Sequence, residues 1–140
     1  MKIYIYGGYS VENNKPSSSL FVLNLSGLGG WNSPAVTGAL PRTRCGHSAV
    51  LSGKNMFVFG GIDGDPESND SSLLLNDLHC LAVDRCAWSK PRFTGEPPPP
   101  MMGHSCVMTG VEAIFFGGKT ASGPTSALYS FHTGNLYYIS

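Results

Sequence analysis

The chain holds 140 residues, with nine basic side chains against nine acidic ones, no net charge and only 13% charged residues. That balance lacks the basic footprint on which nucleic-acid binding depends. Eighteen glycines and ten prolines break up any long helical period, and no apolar run approaches the length of a membrane-spanning helix.

From the N-terminus, Met1-Lys2 leads straight into an apolar run, Ile3-Tyr4-Ile5-Tyr6, closed by Gly7-Gly8. It reads as a strand rather than a secretory signal. Leu20-Phe21-Val22-Leu23 and then Trp31 follow. From Gly46-His47-Ser48 the same landmarks return: Met56-Phe57-Val58-Phe59 before Gly60-Gly61, then Leu78-His79-Cys80-Leu81, then Trp88. From Gly103-His104-Ser105 they return again, with Ala113-Ile114-Phe115-Phe116 before Gly117-Gly118, then Leu128-Tyr129-Ser130-Phe131. Tyr138 stands where a third tryptophan would fall. Landmarks in fixed order, with gaps confined to one loop, define a repeat of roughly fifty residues.

Each repeat reads as four short strands. The first covers His47 to Leu51, or His104 to Met108, and the second ends in the glycine pair. The third is the leucine-led stretch and the fourth surrounds the tryptophan, with Tyr137 to Ser140 as the last. Ser52-Gly53-Lys54-Asn55 and Thr109-Gly110 suit tight hairpins between first and second strands. The second strands are apolar at almost every position, the pattern of a strand buried on both faces. Such a small sheet needs copies of itself on either side, and radial stacking supplies them. The glycine pair lets the strand end sharply and a neighbouring backbone or ring approach.

Gly60-Gly61 after an apolar strand, Leu75-Asn76-Asp77-Leu78, Trp88 and the stretch from Pro41 to Ser48 together resemble the kelch-repeat family. The resemblance covers essentially the whole chain. It implies an all-β, kelch-type β-propeller of four-stranded antiparallel blades, used as a non-catalytic protein-protein interaction module. It implies neither one partner nor one reaction. In register the chain is a propeller fragment of about two and three-quarter blades. Blade one (1–37) lacks its innermost strand, blade two covers 44–94 and blade three 101–140. Propellers hold about 4–8 blades, so this chain alone does not close the ring. It is expected to be a piece of a larger protein, a part completed by another chain, or one of two self-assembled arcs. Further blades from the same or another chain are therefore among its expected partners.

In an up-down-up-down blade, the loops from second to third strand share a face with the links between blades. The long, divergent loops are Tyr9 to Ser18, Ile62 to Asp77 and Lys119 to Ser126, with links Gly38 to Cys45 and Gly95 to Met102. Long loops on a rigid scaffold are the usual place for recognition. The candidate partner contacts are Tyr9, Arg42, Arg44, Asp63, Asp65, Met101 and Lys119. Arg44 and Lys119 would meet carboxylates, and Tyr9 and Met101 would supply apolar contact with a protein or peptide. The competing reading has Arg44 bonding neighbouring backbone carbonyls. The kelch resemblance also implies a basic residue just before Gly-His-Ser; Arg44 keeps that pattern and Met101 departs from it. The shared positions Gly7, Gly8, Trp31, Gly46, His47, Gly60, Gly61, Trp88, Gly103, His104, Gly117 and Gly118 are assigned to the scaffold.

No catalytic residue, metal or cofactor is expected. His47 and His104 occupy equivalent positions with no ligand at metal spacing, and are expected to bond nearby backbone groups. Asp63-Gly64-Asp65-Pro66-Glu67 fails as a calcium loop, since Ser68 and Leu74 occupy its sixth and twelfth places. A solvated or disordered loop is expected there. Cys45, Cys80, Cys86 and Cys106 contain no Cys-x-x-Cys pair and read as free thiols, which points to an intracellular, cytoplasmic protein. Two other roles stand beside the adaptor reading. One is a structural propeller subunit buried in a large assembly, the other the non-catalytic part of a larger kelch-containing enzyme.

Overall fold

The computed structural model describes every residue except Leu28 and Ser140. The expected last residue of the final strand, Ser140, lies outside the described residues. Among the described residues the architecture is all-β apart from a single 3₁₀ turn at Ser71–Leu73. Lys2–Tyr6, Leu20–Asn24 and Trp31–Asn32 form the first blade. Ser48–Ser52, Asn55–Ile62, Leu74–Ala82 and Ala87–Ser89 form the middle one. Ser105–Thr109, Glu112–Phe116, Leu128–His132 and Tyr137–Ile139 form the third. Strands adjacent in sequence pair antiparallel within each blade, giving an open arc of meanders.

Several boundaries differ from the sequence expectation. The inner strands begin at Ser48 and Ser105, which leaves His47 and His104 on the approach to each strand. The middle third strand starts at Leu74 rather than Leu78, shortening the acidic loop. Of the three second strands, Asn55–Ile62 is buried on both faces, while Lys2–Tyr6 and Glu112–Phe116 are not. Ile3, Ile5 and Phe116 are exposed because the end blades have a neighbour on one side only. In the middle blade the chain also does not stop at the glycine pair. It bulges between Phe59 and Gly61 and runs on to pair Ile62 with Leu74.

Close approach explains the glycines. Gly60 and Gly61 hold φ of +66° and +98°. A Cβ on Gly60 would lie 2.9 Å from Met101 O of the next blade. One on Gly61 would lie 2.7 Å from Cys45 O, where the same blade's inner strand begins. The first glycine therefore admits a neighbour and the second admits its own blade.

The core sits between blades. Tyr6, Leu20 and Val22 pack against Met56, Val58, Leu81 and Trp88. Phe57, Phe59 and Leu78 pack against Met101, Phe115, Phe131 and Tyr138. Each large apolar side chain so buried contributes about 1.5–3 kcal/mol. Trp31 and Trp88 match in spacing but not in surroundings. Trp88 is 3% exposed against Tyr6 of the preceding blade, while Trp31, with no such neighbour, is 50% exposed.

The links between blades also cover sheet edges. Thr37–Gly38, assigned from sequence to the end of the first blade and the start of the link, pairs in parallel with Ala87 and Trp88 of the middle blade. Thr94 repeats the arrangement beside Tyr137. A Cβ on Gly38 would fall 2.0 Å from Trp88 O, so this edge contact requires glycine. The outer strands of blades two and three are thereby shielded from further pairing.

Candidate functional site

The two faces of the arc sort as connectivity dictates. On one face lie the short hairpins, where Val83 N donates to Lys54 O and Thr133 N donates to Val111 O. On the other, the long loops fold onto the links. Ser17 pairs with Arg44, Cys45 with Ile62, and Met101–Met102 with Lys119–Thr120. Two of these loops carry their own small hairpins, Tyr9–Ser10 with Lys15–Pro16 and Lys119–Thr120 with Gly123–Pro124.

Beneath this face lies a small apolar cluster of Cys45, Ile62 and Leu74, flanked by Tyr9 and Met102. It joins loops from all three blades into one surface. Tyr9 is half-buried, and its hydroxyl bonds the Asn14 side chain. Arg42 and Asp63 form an exposed ion pair at 3.6 Å, and Thr43 Oγ1 also donates to Asp63. The acidic loop is exposed, yet it is folded on itself rather than left loose. Asp65 Oδ1 accepts from Glu67 N at 2.9 Å, and Asp70 Oδ1 accepts from Ser72 N at 3.0 Å to cap the 3₁₀ turn. Between this loop and the Lys119 hairpin runs a groove of about 130 Å³. Its floor is Leu74 and Met102, one wall is Ser68 to Ser71, and Lys119 stands on the other.

Two expected contact residues are not on this surface. Arg44 is fully buried. Its guanidinium donates to both Asp77 carboxylate oxygens at 2.8 Å, to Gly60 O at 3.0 Å and to Arg42 O at 3.3 Å. The backbone-bonding alternative for Arg44 is thus half of the answer, and Asp77 is the other half. Burial alone would raise the Asp77 pKa, but hydrogen bonds and charge from Arg44 and His79 hold it well below the usual carboxylate range. His79 extends the cluster, with Nε2 3.0 Å from Asp77 Oδ2 and Nδ1 3.2 Å from Ala39 O. Tyr6 Oη adds bonds to Pro41 O and Arg42 O at 3.2 Å. Together they fasten the link between blades one and two. Met101 is likewise fully buried, in the core between blades two and three.

His104 also departs from expectation, bonding a side chain rather than backbone: Nε2 lies 2.8 Å from Ser48 Oγ of the preceding blade. Its Nδ1 and that of His47 are buried without partners. Burial, with His47 nearby, lowers the His104 pKa from 6.5 to about 4. The unfolded chain therefore binds more protons than the folded one between these values, and stability falls as pH drops through that window. Unfolding midpoints measured from pH 7.5 down to 4 should report a loss on the order of 3 kcal/mol from this group. A flat profile would contradict the burial assigned to the ring.

Asp77, His79, Thr37-Gly38 and Thr94-Gly95 were not assigned these roles from sequence. The signal lay in comparing copies. Where blade two has Arg44 and Asp77, blade three has Met101 and Ala127 at the same register. The pair changes together.

Meandering blades, glycine pairs at their crossings and buried rings between them define an arc of a β-propeller. The chain belongs to the kelch-repeat family: residues 1–139 match the family model described as the KLHDC2/KLHL20/DRC7 Kelch-repeats domain. It is similar to the Rho GTPase-activating protein gacHH of Dictyostelium discoideum, with 36% identity over 134 residues, 94% of this chain and 8% of that protein. It is also similar to Tip elongation aberrant protein 1 of Schizosaccharomyces pombe, with 30% identity over 135 residues, 96% of this chain and 11% of that protein. Human Host cell factor 2 is 33% identical over 133 residues, 84% of this chain and 16% of that protein. The chain thus spans less than a fifth of the length of each of these relatives.

Proposed function

We propose that this chain is a non-catalytic protein-binding module whose recognition surface is the face carrying the long loops. The observation that carries the reading is the single row from Tyr9 through Leu74 and Met102 to Lys119, which joins three blades over one apolar cluster. Arg42, Asp63 and Asp65 frame it with charge. A rigid scaffold holding divergent half-buried side chains is the usual design of such a site. The relatives include a protein named as a Rho GTPase-activating protein and one named as a probable serine/threonine-protein kinase. Within a protein of that kind, the same surface would recognise partners while other domains perform the chemistry.

The open blade faces belong to the same reading. Ile3, Ile5, Phe21 and Trp31 at one end, and Val107, Phe116 and Leu128 at the other, are exposed apolar side chains. Further blades would cover them. All four cysteines are free, and the two buried ones, Cys45 and Cys80, suit a reducing intracellular compartment. Among the described residues, no helix is long and apolar enough to cross a membrane.

The test combines Lys119→Glu with Arg42→Glu, both exposed and outside the core. Affinity for proteins captured by the parent chain should fall at least tenfold, with unfolding free energy within about 0.5 kcal/mol of the parent. Unchanged affinity would overturn the assignment.

A further inference from the structure

The groove between the acidic loop and the Lys119 hairpin has walls of opposite charge that do not neutralise each other. Both walls come from one seam, where the loop after the second strand of blade two faces its counterpart in blade three. Asp70 stands on one wall and Lys119 on the other, and both are exposed. Neither belongs to an ion pair among the described residues.

Each wall is held by its own bonds. Ser68 Oγ accepts from Asp70 N at 3.1 Å, while Asp70 Oδ1 accepts from Ser72 N and Ser72 Oγ at 3.0 and 2.6 Å. The Ser72 bonds hold the Asp70 carboxyl below its ordinary range, so this wall is anionic at neutral pH. They engage Oδ1 and leave Oδ2 without a bond among the described residues. Across the groove, Thr120 Oγ1 donates to Gly123 O at 3.1 Å and accepts from Ser122 N at 3.2 Å, which fixes the turn beside Lys119. Leu74 and Met102 make an apolar floor, packed with Cys45 and Ile62. The volume, about 130 Å³, falls well short of the roughly 300–1,000 Å³ typical of a small-molecule cleft. It has room for one side chain of an extended segment.

We propose that this groove takes an extended segment of a partner protein in which an apolar residue lies between one basic and one acidic residue. The apolar side chain lies on Leu74 and Met102, the basic one meets Asp70 and the acidic one meets Lys119. Successive side chains of an extended chain point to opposite faces, so the central residue enters the floor while its neighbours turn towards the charged rims. Two acids would set one of them against Asp70, and two bases would set one against Lys119. The inference rests on the loop face being the recognition surface, and adds the class of segment recognised there.

Chemical-shift titration of the intact chain with end-blocked five-residue peptides tests it. Gly-Lys-Leu-Glu-Gly and Gly-Glu-Leu-Lys-Gly cover the two chain directions. One of them should shift the amides of Ser68–Leu74 and Lys119–Gly123 saturably. Replacing its leucine by serine, or making both charges alike, should weaken binding by at least about fivefold. In the Lys119→Glu chain the preference should move to Gly-Lys-Leu-Lys-Gly. No saturable shift from either mixed peptide, equal binding of the like-charged peptides, or a preference unchanged by Lys119→Glu would each overturn the proposal. If the chain carrying both Lys119→Glu and Arg42→Glu still lost its captured proteins, such a result would remove this class of segment and leave the loop face standing as a binding surface.

Discussion

Arg44→Met alone is expected to destabilise the chain by about 3–5 kcal/mol, and Asp77→Ala alone by a comparable amount. The two changes together should recover most of that loss. Arg44 is fully buried and paired through its two terminal guanidinium nitrogens with both Asp77 oxygens. Removing Asp77 strands the fully buried Arg44 charge, and removing Arg44 leaves a mostly buried carboxylate with only His79 beside it, whereas removing both trades ions for apolar contact. The third blade already has apolar residues there, because fully buried Met101 and half-buried Ala127 occupy the matching positions. Gly60 O and the His79 ring lose a partner in the double variant, so recovery is incomplete. Urea unfolding of the four proteins measures the coupling directly. Additive losses in the double variant would mean that the pair does more than neutralise itself.

The second large effect separates two glycines that sequence treats as equals. Gly61→Ala is expected to cost about 3 kcal/mol or more, adding a steric clash to the backbone strain. The new methyl would lie 2.7 Å from Cys45 O and 2.9 Å from His47 Cβ. Gly8→Ala meets nothing within 4 Å and carries only the strain of positive φ, about 1–2 kcal/mol. Thermal unfolding of both variants gives the comparison. Equal costs would show that backbone conformation, rather than close approach, explains the paired glycines.

Much of the scaffold was legible because it repeats. Glycine pairs, leucine-led strands and the positions of Trp88 and Tyr138 report local geometry that every blade must satisfy. What a single repeat cannot report is its neighbour. Trp31 and Phe116 carry scaffold chemistry but lie exposed, since burial in a propeller belongs to pairs of blades. Arg44 was misplaced for a related reason. A basic residue in a link reads as a surface charge until its acid is found, and Asp77 lies 33 residues away on another strand. The loop row was legible as divergence alone. Its floor of Cys45, Ile62 and Leu74 required the fold, because those side chains come from a link, a strand end and a strand start.

The division between a buried, repeated scaffold and a divergent recognising face is tested most directly by site-specific photo-crosslinking in cells. A crosslinking residue placed at Lys119 samples the loop face, and one at Lys54 samples the hairpin face, where that side chain is 80% exposed. The loop position should yield a discrete set of protein adducts that Arg42→Glu depletes, and the hairpin position should yield none of them. The same adducts from Lys54, or from both faces alike, would contradict the account.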